Sequence, residues 1–226
     1  MIFPVPFKPD YDWRGGRGFG ADRSAVAALL KIPGGKLRHG ACDLIVPNGT
    51  PVLAMEDGIV IRSGYAFFLG TWAIEVQHSQ FIARYCEITS NVNVRVGQRV
   101  VEGQVIATVG NQPGADMLHL ELFSGHATGN LSTDKNNPRN APYYRRSDLM
   151  DPTPVLDGLV NTISGRKAPY YYHTDEEGRK FLRDRQVKDI VGKITIEKMP
   201  SVKSLPATSP TVISPGPAIN LPSPRR

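Results

Sequence analysis

Long apolar runs are missing from this sequence of 226 residues. No stretch approaches the roughly 18 apolar residues that form a membrane-spanning helix. The first residues, MIFPVPFKPDYDW, also lack the basic segment and the following apolar segment of a secretion signal. We therefore expect a protein that does not insert into a membrane and that is made in the cytoplasm without a classical signal peptide.

Cysteine is scarce, with Cys42 and Cys86 as the only two. Two cysteines form neither a disulfide framework nor a thiolate zinc cluster, although a single bridge between them is compatible with the sequence. We predict that both are buried free thiols.

Lysine is absent between Leu37 and Asp134, a stretch with five arginines and nine acidic residues. Because the whole chain has a net charge of +6, its flanks are basic. An acidic core between basic flanks suits a cation-binding centre near an anionic polymer, such as nucleic acid or cell wall. The same distribution arises if surface lysines simply fall in helices and tails. An ordered aromatic and arginine motif for nucleic acid is missing, so we expect no nucleic-acid partner.

Short β-branched runs separated by glycine dominate residues 44–109. This spacing predicts a mainly β fold, an antiparallel barrel or sandwich. Gly97-Gln98 and Gly103-Gln104 lie six residues apart and indicate one repeated hairpin arm. A hydrophobic content of 40% is enough for one main core, which we place at 37–134.

Short helices are predicted in the flanking segments, the N-terminal extension 1–36 and the C-terminal extension 135–200. RSAVAALLKI predicts a helix that ends at Pro33-Gly34-Gly35, and DPTPVLDGLV predicts one with Asp151 as its N-cap. TDEEGRKFLRDRQVKDIVGK is a further helical candidate. The tail 201–226 contains six prolines and no acid, which predicts a disordered segment that the fold and any activity do not need.

Two of the five histidines have informative neighbours. RHGACDL places His39 and Asp43 four residues apart, and MLHLE places His119 in a strand. Four residues of straight strand span about 13 Å, so Gly40 must allow a bend if both side chains bind one ion. Two imidazoles, a carboxylate and a position for water make up a catalytic zinc site. Taken alone, His39 and Asp43 would more often form a surface pair.

The order of the surrounding motifs is more specific. RHGACDLIVPNGTPVLAMEDGIV is followed by RYCEIT, by VGQRVVEGQVIATVG and by MLHLEL. This order resembles the lysostaphin/LytM-type zinc endopeptidases (metallopeptidase family 23) over about residues 38–123. The resemblance implies a LytM-like β-barrel with a duplicated hybrid motif and a groove that cuts peptide cross-links of bacterial peptidoglycan. It also implies that His39, Asp43 and His119 are the ligands of one zinc ion.

Two non-ligand histidines of that family are replaced. Glu87 stands where the family usually has the histidine of Tyr-x-His, and Met117 stands at the first position of His-x-His. A thioether moves no protons and binds zinc poorly, so Met117 is predicted to pack on the metal-facing side. Glu87 can accept a proton and is the predicted catalytic base.

Four further side chains lie in or near the motifs. Two of them allow two interpretations each. Glu121 shares the face of His119 and could orient its imidazole, or it could point into solvent from an edge strand. Tyr85 could line the groove or be half-buried in the barrel. His78 is expected at a turn facing water, and His126 could approach the cleft.

Two functions from different classes follow. The first is an active zinc endopeptidase on peptidoglycan peptides, as a phage-type lysin or an antibacterial secreted effector. The alternative is a non-catalytic LytM-like domain that binds wall peptides or regulates a partner hydrolase; the missing histidines favour it and the intact ligands oppose it. A biotinyl or lipoyl carrier is excluded, because its hairpin tip needs a lysine. Either function requires non-classical delivery to the periplasm or cell wall. The C-terminal tail is the segment that a delivery machinery could bind.

Overall fold

The computed structural model describes residues 1–183. Strands far outnumber helices in this part of the chain, which confirms the predicted mainly antiparallel β fold with short helices. No helix among these residues has the length and apolar character needed to cross a membrane. The predicted disordered tail, 201–226, lies outside the described residues.

The strands are short and follow one another closely along the chain. In order they are β1 (Cys42–Ile45), β2 (Pro51–Leu53), β3 (Gly58–Ala66), β4 (Trp72–Gln77), β5 (Ile82–Ile88), β6 (Arg99–Val100), β7 (Val105–Thr108), β8 (Met117–Phe123), β9 (Leu149–Met150), β10 (Tyr172–Thr174) and β11 (Lys180–Leu182). The α-helices are α1 (Ser24–Leu29) and α2 (Thr153–Leu159), and 3-10 turns cover Gly15–Arg17, Pro33–Gly35, Pro138–Asn140 and Val160–Thr162.

One open antiparallel sheet organises the fold. Its strand order is β1-β8-β5-β4-β3-β6, and β9 also pairs with β8. The strands β2 and β7 form a second, two-stranded sheet, and β10 pairs with β11. Because β8 and β5 lie inside the large sheet, side chains on them are held by neighbours on both sides.

Alternate residues of β8 face the hydrophobic core. Leu118, Leu120 and Leu122 are fully buried there, so the residues between them project from the opposite face of the sheet. The same core cluster contains four aromatic and aliphatic side chains from the first 13 residues and two from α2, namely Phe3, Val5, Phe7, Trp13, Leu156 and Leu159. The segments on both sides of 37–134 therefore contribute to the core that the central strands build.

The glycine-glutamine repeat corresponds to two turns of the same design. Gly97 and Gly103 have φ values of +81° and +78°, which a residue with a side chain rarely adopts. In each turn the glutamine side chain accepts a hydrogen bond from the backbone N–H three residues earlier, at 3.1 Å for Gln98 and 3.2 Å for Gln104. The repeated sequence therefore encodes a repeated local structure.

Both helices lie where the sequence places them. α1 ends four residues before the Pro33–Gly35 turn, as RSAVAALLKI predicts. The Asp151 carboxylate accepts a hydrogen bond from the Thr153 N–H at 2.8 Å and so satisfies a free donor at the start of α2. The predicted N-cap function of Asp151 is present, although the helix itself begins at Thr153.

The helical prediction for TDEEGRKFLR is wrong, because these residues belong to a hairpin formed by β10 and β11. Asp175 closes the loop by hydrogen bonds with Arg179 through both its backbone and its side chain. Gly178 supplies the positive φ of +78° that such a loop needs. The rest of the candidate helix lies outside the described residues.

Candidate metal centre

The three predicted metal ligands come together on the face of the sheet opposite the core. Asp43 on β1 and His119 on β8 are directly paired residues of adjacent antiparallel strands. His39 precedes β1, and a bend at Ala41 turns its imidazole back over the sheet. An added Cβ at Gly40 would lie 3.3 Å from the Arg145 Cγ atom, so Arg145 would have to move slightly to accommodate a side chain there. The bend expected between His39 and Asp43 is therefore present.

The donor atoms of these residues form a small triangle. The distances are 3.1 Å from His39 Nε2 to Asp43 Oδ1, 2.9 Å from His119 Nδ1 to Asp43 Oδ1, and 3.3 Å between the two nitrogens. Ligands placed tetrahedrally at zinc–ligand distances of about 2.0–2.1 Å lie about 3.3 Å from one another. The triangle thus has nearly the size of one face of a zinc tetrahedron, and its donor chemistry suits zinc.

Hydrogen bonds on the far side of each imidazole fix which nitrogen points inward. His39 Nδ1 lies 2.9 Å from the Gly18 carbonyl, and His119 Nε2 lies 3.1 Å from Glu121 Oε1. Because both partners only accept, these ring nitrogens carry the protons. With one proton on each ring, the lone pairs of His39 Nε2 and His119 Nδ1 face each other and Asp43, an arrangement that a proton or a metal ion between them would stabilise.

Glu121 is fully buried on the interior strand β8. Arg84 on β5 donates to its Oε2 at 3.0 Å, and Arg145 donates to its Oε1 at 2.7 Å. Burial alone would raise the pKa of this carboxyl, but the two guanidinium groups hold it well below its usual range. The interpretation of Glu121 as a solvent-facing edge residue is wrong, since β8 is not an edge strand.

The charges around the triangle favour a bound cation. Burial opposes protonation of His119, but its hydrogen bonds with Asp43 and Glu121 prevail and raise its pKa to about 9. Burial also lowers the pKa of His39, and the two imidazoles hold the pKa of Asp43 well below normal against the effect of burial. A positive charge, either a proton or a metal ion, is therefore stabilised at this point.

Glu87 occupies a bulge in β5. The register along β4 pairs Trp72 with Ile88 and Ala73 with Cys86, which leaves Glu87 as the extra residue. Its φ of +64° is in the left-handed region, which is uncommon for a glutamate. Regular alternation would place Glu87 on the core side, so the bulge is what turns it away from the core.

The Glu87 side chain lines the same cavity as His119. Gln112 donates a hydrogen bond to its Oε2 at 2.5 Å. Burial is the main cause that raises the pKa of this carboxyl to about 7, with a further contribution from the nearby Asp43 carboxylate. Glu87 can therefore exchange a proton near neutral pH.

The metal centre opens into a cavity of about 660 Å³. Met117 lines it beside His119, as its position two residues away on β8 predicts. The Phe67 ring lies 5.5 Å from the His119 ring, centroid to centroid, and the Arg84 guanidinium lies 4.9 Å from the Phe67 centroid. The other walls come from the segments 17–38, 112–115 and 132–145. Most of the cavity lining is thus built by residues that the motifs do not identify.

Tyr85 does not line this cavity. It is fully buried on the core side of β5, where its hydroxyl accepts a hydrogen bond from the Met55 N–H at 3.0 Å. The same hydroxyl lies 3.1 Å from His78 Nε2, and His78 Nδ1 lies 3.1 Å from the Asp57 carbonyl. Both the groove position for Tyr85 and the water-facing position for His78 are therefore wrong, because these two residues satisfy one another inside the protein.

Replacement of Tyr85 by phenylalanine tests this assignment. The Met55 N–H and His78 Nε2 would each lose a buried partner, so we expect the free energy of unfolding to fall by about 1–3 kcal/mol. Metal content should not change, since the hydroxyl lies on the other side of the sheet. Urea unfolding monitored by fluorescence measures the loss. A variant as stable as the parent but deficient in metal binding would contradict the buried position.

Cys42 and Cys86 are buried free thiols, as predicted. Cys86 on β5 is paired with His119 on β8 and so lies on the face of the donor triangle. Cys42 on β1 is paired with Leu120 on β8 and so lies on the core face. The two thiols therefore lie on opposite faces of the sheet and do not form a bridge. His126 is exposed and is not part of the cavity lining.

A β-sheet domain with a two-histidine, one-aspartate centre beside a cleft is typical of metallopeptidases, and comparison with known proteins agrees. Residues 37–131 match Peptidase family M23. Peptidoglycan DD-endopeptidase ShyC of Vibrio cholerae is 37% identical over 93 residues, which are 41% of this chain and 21% of that protein. Glycyl-glycine endopeptidase ALE-1 of Staphylococcus capitis is 31% identical over 109 residues, or 46% and 29% of the two chains.

The chain also has similarities to solved structures. The antimicrobial peptidase lysostaphin from Staphylococcus simulans aligns with 79% of this chain and 65% of its own, at 23% identity and a TM-score of 0.48. The match over residues 37–131 and the similarity to these curated relatives confirm the resemblance that the motifs indicate. The chain spans only about a fifth to a third of the length of the two curated relatives.

Proposed function

We propose that this protein is a zinc-dependent endopeptidase that cuts peptide cross-links of bacterial peptidoglycan. The observation that carries the proposal is the triangle of inward-facing donors, with sides of 2.9 to 3.3 Å, that opens into a peptide-sized cavity. Both curated relatives are named as endopeptidases, and the name of the Vibrio cholerae protein specifies peptidoglycan.

His39, Asp43 and His119 would hold the ion and leave one position toward the cavity. When bound, zinc supplies Lewis acidity, which polarises a peptide carbonyl and makes a water nucleophilic near neutral pH. Glu121 keeps the His119 ring in the required tautomer, and its own charge is balanced by two arginines. The chain thus offers the fixed ligand set and the open position that a catalytic zinc site needs.

Glu87 would act as the general base. In its ionised form it can take a proton from the attacking water and return it to the leaving amine. Gln112 orients the carboxylate by the 2.5 Å hydrogen bond and cannot itself compete for the proton. Met117 fills the place of a histidine and contributes only packing and an apolar wall.

The place of action would be the periplasm or the cell wall. An antibacterial effector or a phage-type lysin, delivered by a non-classical route through the segment 201–226, fits the acidic core and the basic flanks of the chain. Peptidoglycan peptides are the proposed partner, and a delivery machinery is a further one.

A non-catalytic domain that binds wall peptides or regulates a hydrolase is the second candidate. Two observations favour it: Met117 cannot transfer protons, and Glu87 is engaged with Gln112. The intact donor triangle opposes it, since a pure binding role does not need two histidines and an aspartate in tetrahedral spacing.

Zinc content and muropeptide products distinguish the candidates. We expect one zinc per purified full-length chain by mass spectrometry, and new muropeptides when the protein digests isolated peptidoglycan. Removal of the metal by a chelator should stop digestion, and added zinc should restore it. Stoichiometric zinc with wall binding but no new muropeptides would support the second candidate. Absence of zinc from the parent protein would contradict the zinc-dependent endopeptidase.

A further inference from the structure

Each part of the donor triangle is held by a residue outside the M23 domain, residues 37–131. The Gly18 carbonyl accepts from His39, Arg23 donates to Asp43, and Arg145 donates to Glu121, which in turn holds His119. The segments before and after the domain therefore hold His39 and Asp43 directly and His119 through Glu121.

Arg23 makes the most direct of these contacts. Its Nη2 donates to Asp43 Oδ2 at 3.0 Å, while Nη1 donates to the Gly16 carbonyl at 2.8 Å. Hydrogen bonds thus hold both terminal nitrogens of the guanidinium. Only 18% of the Arg23 side chain and 7% of the Asp43 side chain are exposed, so the ion pair is shielded from solvent.

Backbone pairing explains how Arg23 reaches the centre. Its N–H donates to the Leu37 carbonyl at 3.0 Å, and the His39 N–H donates to the Ala21 carbonyl at 2.9 Å. The segment that carries Arg23 therefore runs antiparallel to the segment that carries His39. This pairing sets Arg23 and His39 in register independently of their side chains.

The two oxygens of Asp43 face different partners. Oδ1 belongs to the donor triangle, whereas Oδ2 is the atom that Arg23 contacts. A carboxylate without such a partner can rotate and offer both oxygens to a metal ion. With Oδ2 engaged, only Oδ1 is free to bind, which limits the coordination number and leaves the position toward the cavity open.

We propose that Arg23 is a positioning residue that holds Asp43 as a one-oxygen ligand of the metal centre. The proposal rests on the metal site of the proposed function but not on peptidase activity. The arginine also repels a bound cation, so its removal has two opposite effects on affinity. The loss of Asp43 orientation should outweigh the loss of charge repulsion. The reason is that the Asp43 carboxylate lies between the guanidinium and the donor triangle and offsets the charge of Arg23.

Two substitutions of Arg23 and one control test this. Arg23→Gln removes both the positive charge and the pair of guanidinium donors. Arg23→Lys keeps the charge, but a single ammonium group cannot reach both the Gly16 carbonyl and Asp43 in the same geometry. Arg14→Gln is the control, because Arg14 lies in the same segment, forms ion pairs with Asp12 and Asp157 and does not line the cavity. The readouts are zinc affinity by chelator competition, the visible absorption of the cobalt-loaded protein, and the melting temperature.

Arg23→Gln should bind zinc about 10- to 100-fold more weakly than the parent. Its cobalt form should absorb more weakly, because a rotating Asp43 raises the coordination number above four. Arg23→Lys should recover part of the affinity, and Arg14→Gln should match the parent in zinc affinity and in the cobalt spectrum. A merely structural role would lower the melting temperature without altering the cobalt spectrum.

Zinc binding by Arg23→Gln as tight as, or tighter than, that of the parent would overturn the proposal. If Arg23→Gln does not fold, Arg23→Lys decides: parental affinity and a parental cobalt spectrum would overturn it as well. A parent protein that binds zinc but cuts no peptidoglycan leaves this test intact and counts only against the proposed activity. A parent that binds no zinc removes the basis of both.

Discussion

Alanine in place of His119 is expected to abolish metal retention. The substitution removes one corner of the donor triangle and leaves Glu121 without the imidazole that it orients. Loss of a mere outer-sphere partner typically costs 10- to 100-fold in metal affinity, so loss of a ligand should weaken zinc binding by more than roughly 100-fold. Digestion of peptidoglycan should fall to background with it. Zinc per chain after gel filtration is the measurement.

His126→Ala is the matched control for this variant. His126 is exposed, lies outside the cavity lining and follows β8 by only a few residues. It should retain the zinc content and the activity of the parent. Stoichiometric zinc in His119→Ala would show that the assigned ligands are wrong, whatever the activity of the parent.

Replacing Glu87 by glutamine should eliminate nearly all cleavage while zinc is retained. Glutamine keeps the shape of the side chain and can accept the hydrogen bond from Gln112, but it has no basicity. A positioned general base typically contributes about 10²- to 10⁴-fold in rate, and we expect a loss of that size. Release of muropeptides, measured at matched zinc content, reports it.

The pH dependence follows from the same carboxyl. With its pKa near 7, Glu87 is ionised, and so competent as a base, only in the upper part of the neutral range. Because cleavage also requires bound zinc, it should rise with pH with a midpoint below about 7. A bound zinc ion would favour the ionised form and move this rise to lower pH.

The free energy of unfolding of the metal-free protein should fall, not rise, as pH increases. The pKa of Glu87 is raised from 4.5 to about 7 on folding, so the metal-free protein binds this proton more tightly when folded. The contribution of the Glu87 carboxyl to stability is fully present below about pH 4.5 and is lost as pH rises through 7. At pH 8, metal-free Glu87→Gln should be more stable than the parent by up to roughly 3 kcal/mol.

Glu176→Gln is the control, since Glu176 is an exposed glutamate of the hairpin loop between β10 and β11. It should keep the activity and the pH dependence of stability of the parent. Equal cleavage by Glu87→Gln and the parent would rule out Glu87 as the base. Loss of zinc in Glu87→Gln would instead indicate that Glu87 supports the metal centre.

The sequence predicted the centre better than its surroundings. The proximity of His39, Asp43 and His119 could be predicted because their motifs occur in a fixed order along the chain. Glu121 could not be placed, since its burial depends on Arg145, which follows it by 24 residues and lies outside the motifs. Arg23 was missed for the same reason, because only the pairing of two segments brings it to Asp43.

Local patterns failed where the backbone departs from regular geometry. Tyr85 and Glu87 are two residues apart and would share one face of a regular strand. The bulge separates them, so that the tyrosine enters the core and the glutamate enters the cavity. The hairpin around Gly178 was missed because its charged loop has no clear periodicity, whereas the helices with recognisable ends were found.

The distances along the chain between the ligands have a consequence for folding. Asp43 and His119 are 76 residues apart, and His39 and His119 are 80 apart. Contacts of such separation form late, because the intervening chain must first be ordered. A nascent chain that has exposed only His39 and Asp43 holds two of the three donors, and the third becomes available once β8 has joined β1. Metal capture should therefore report completion of folding rather than guide its first steps.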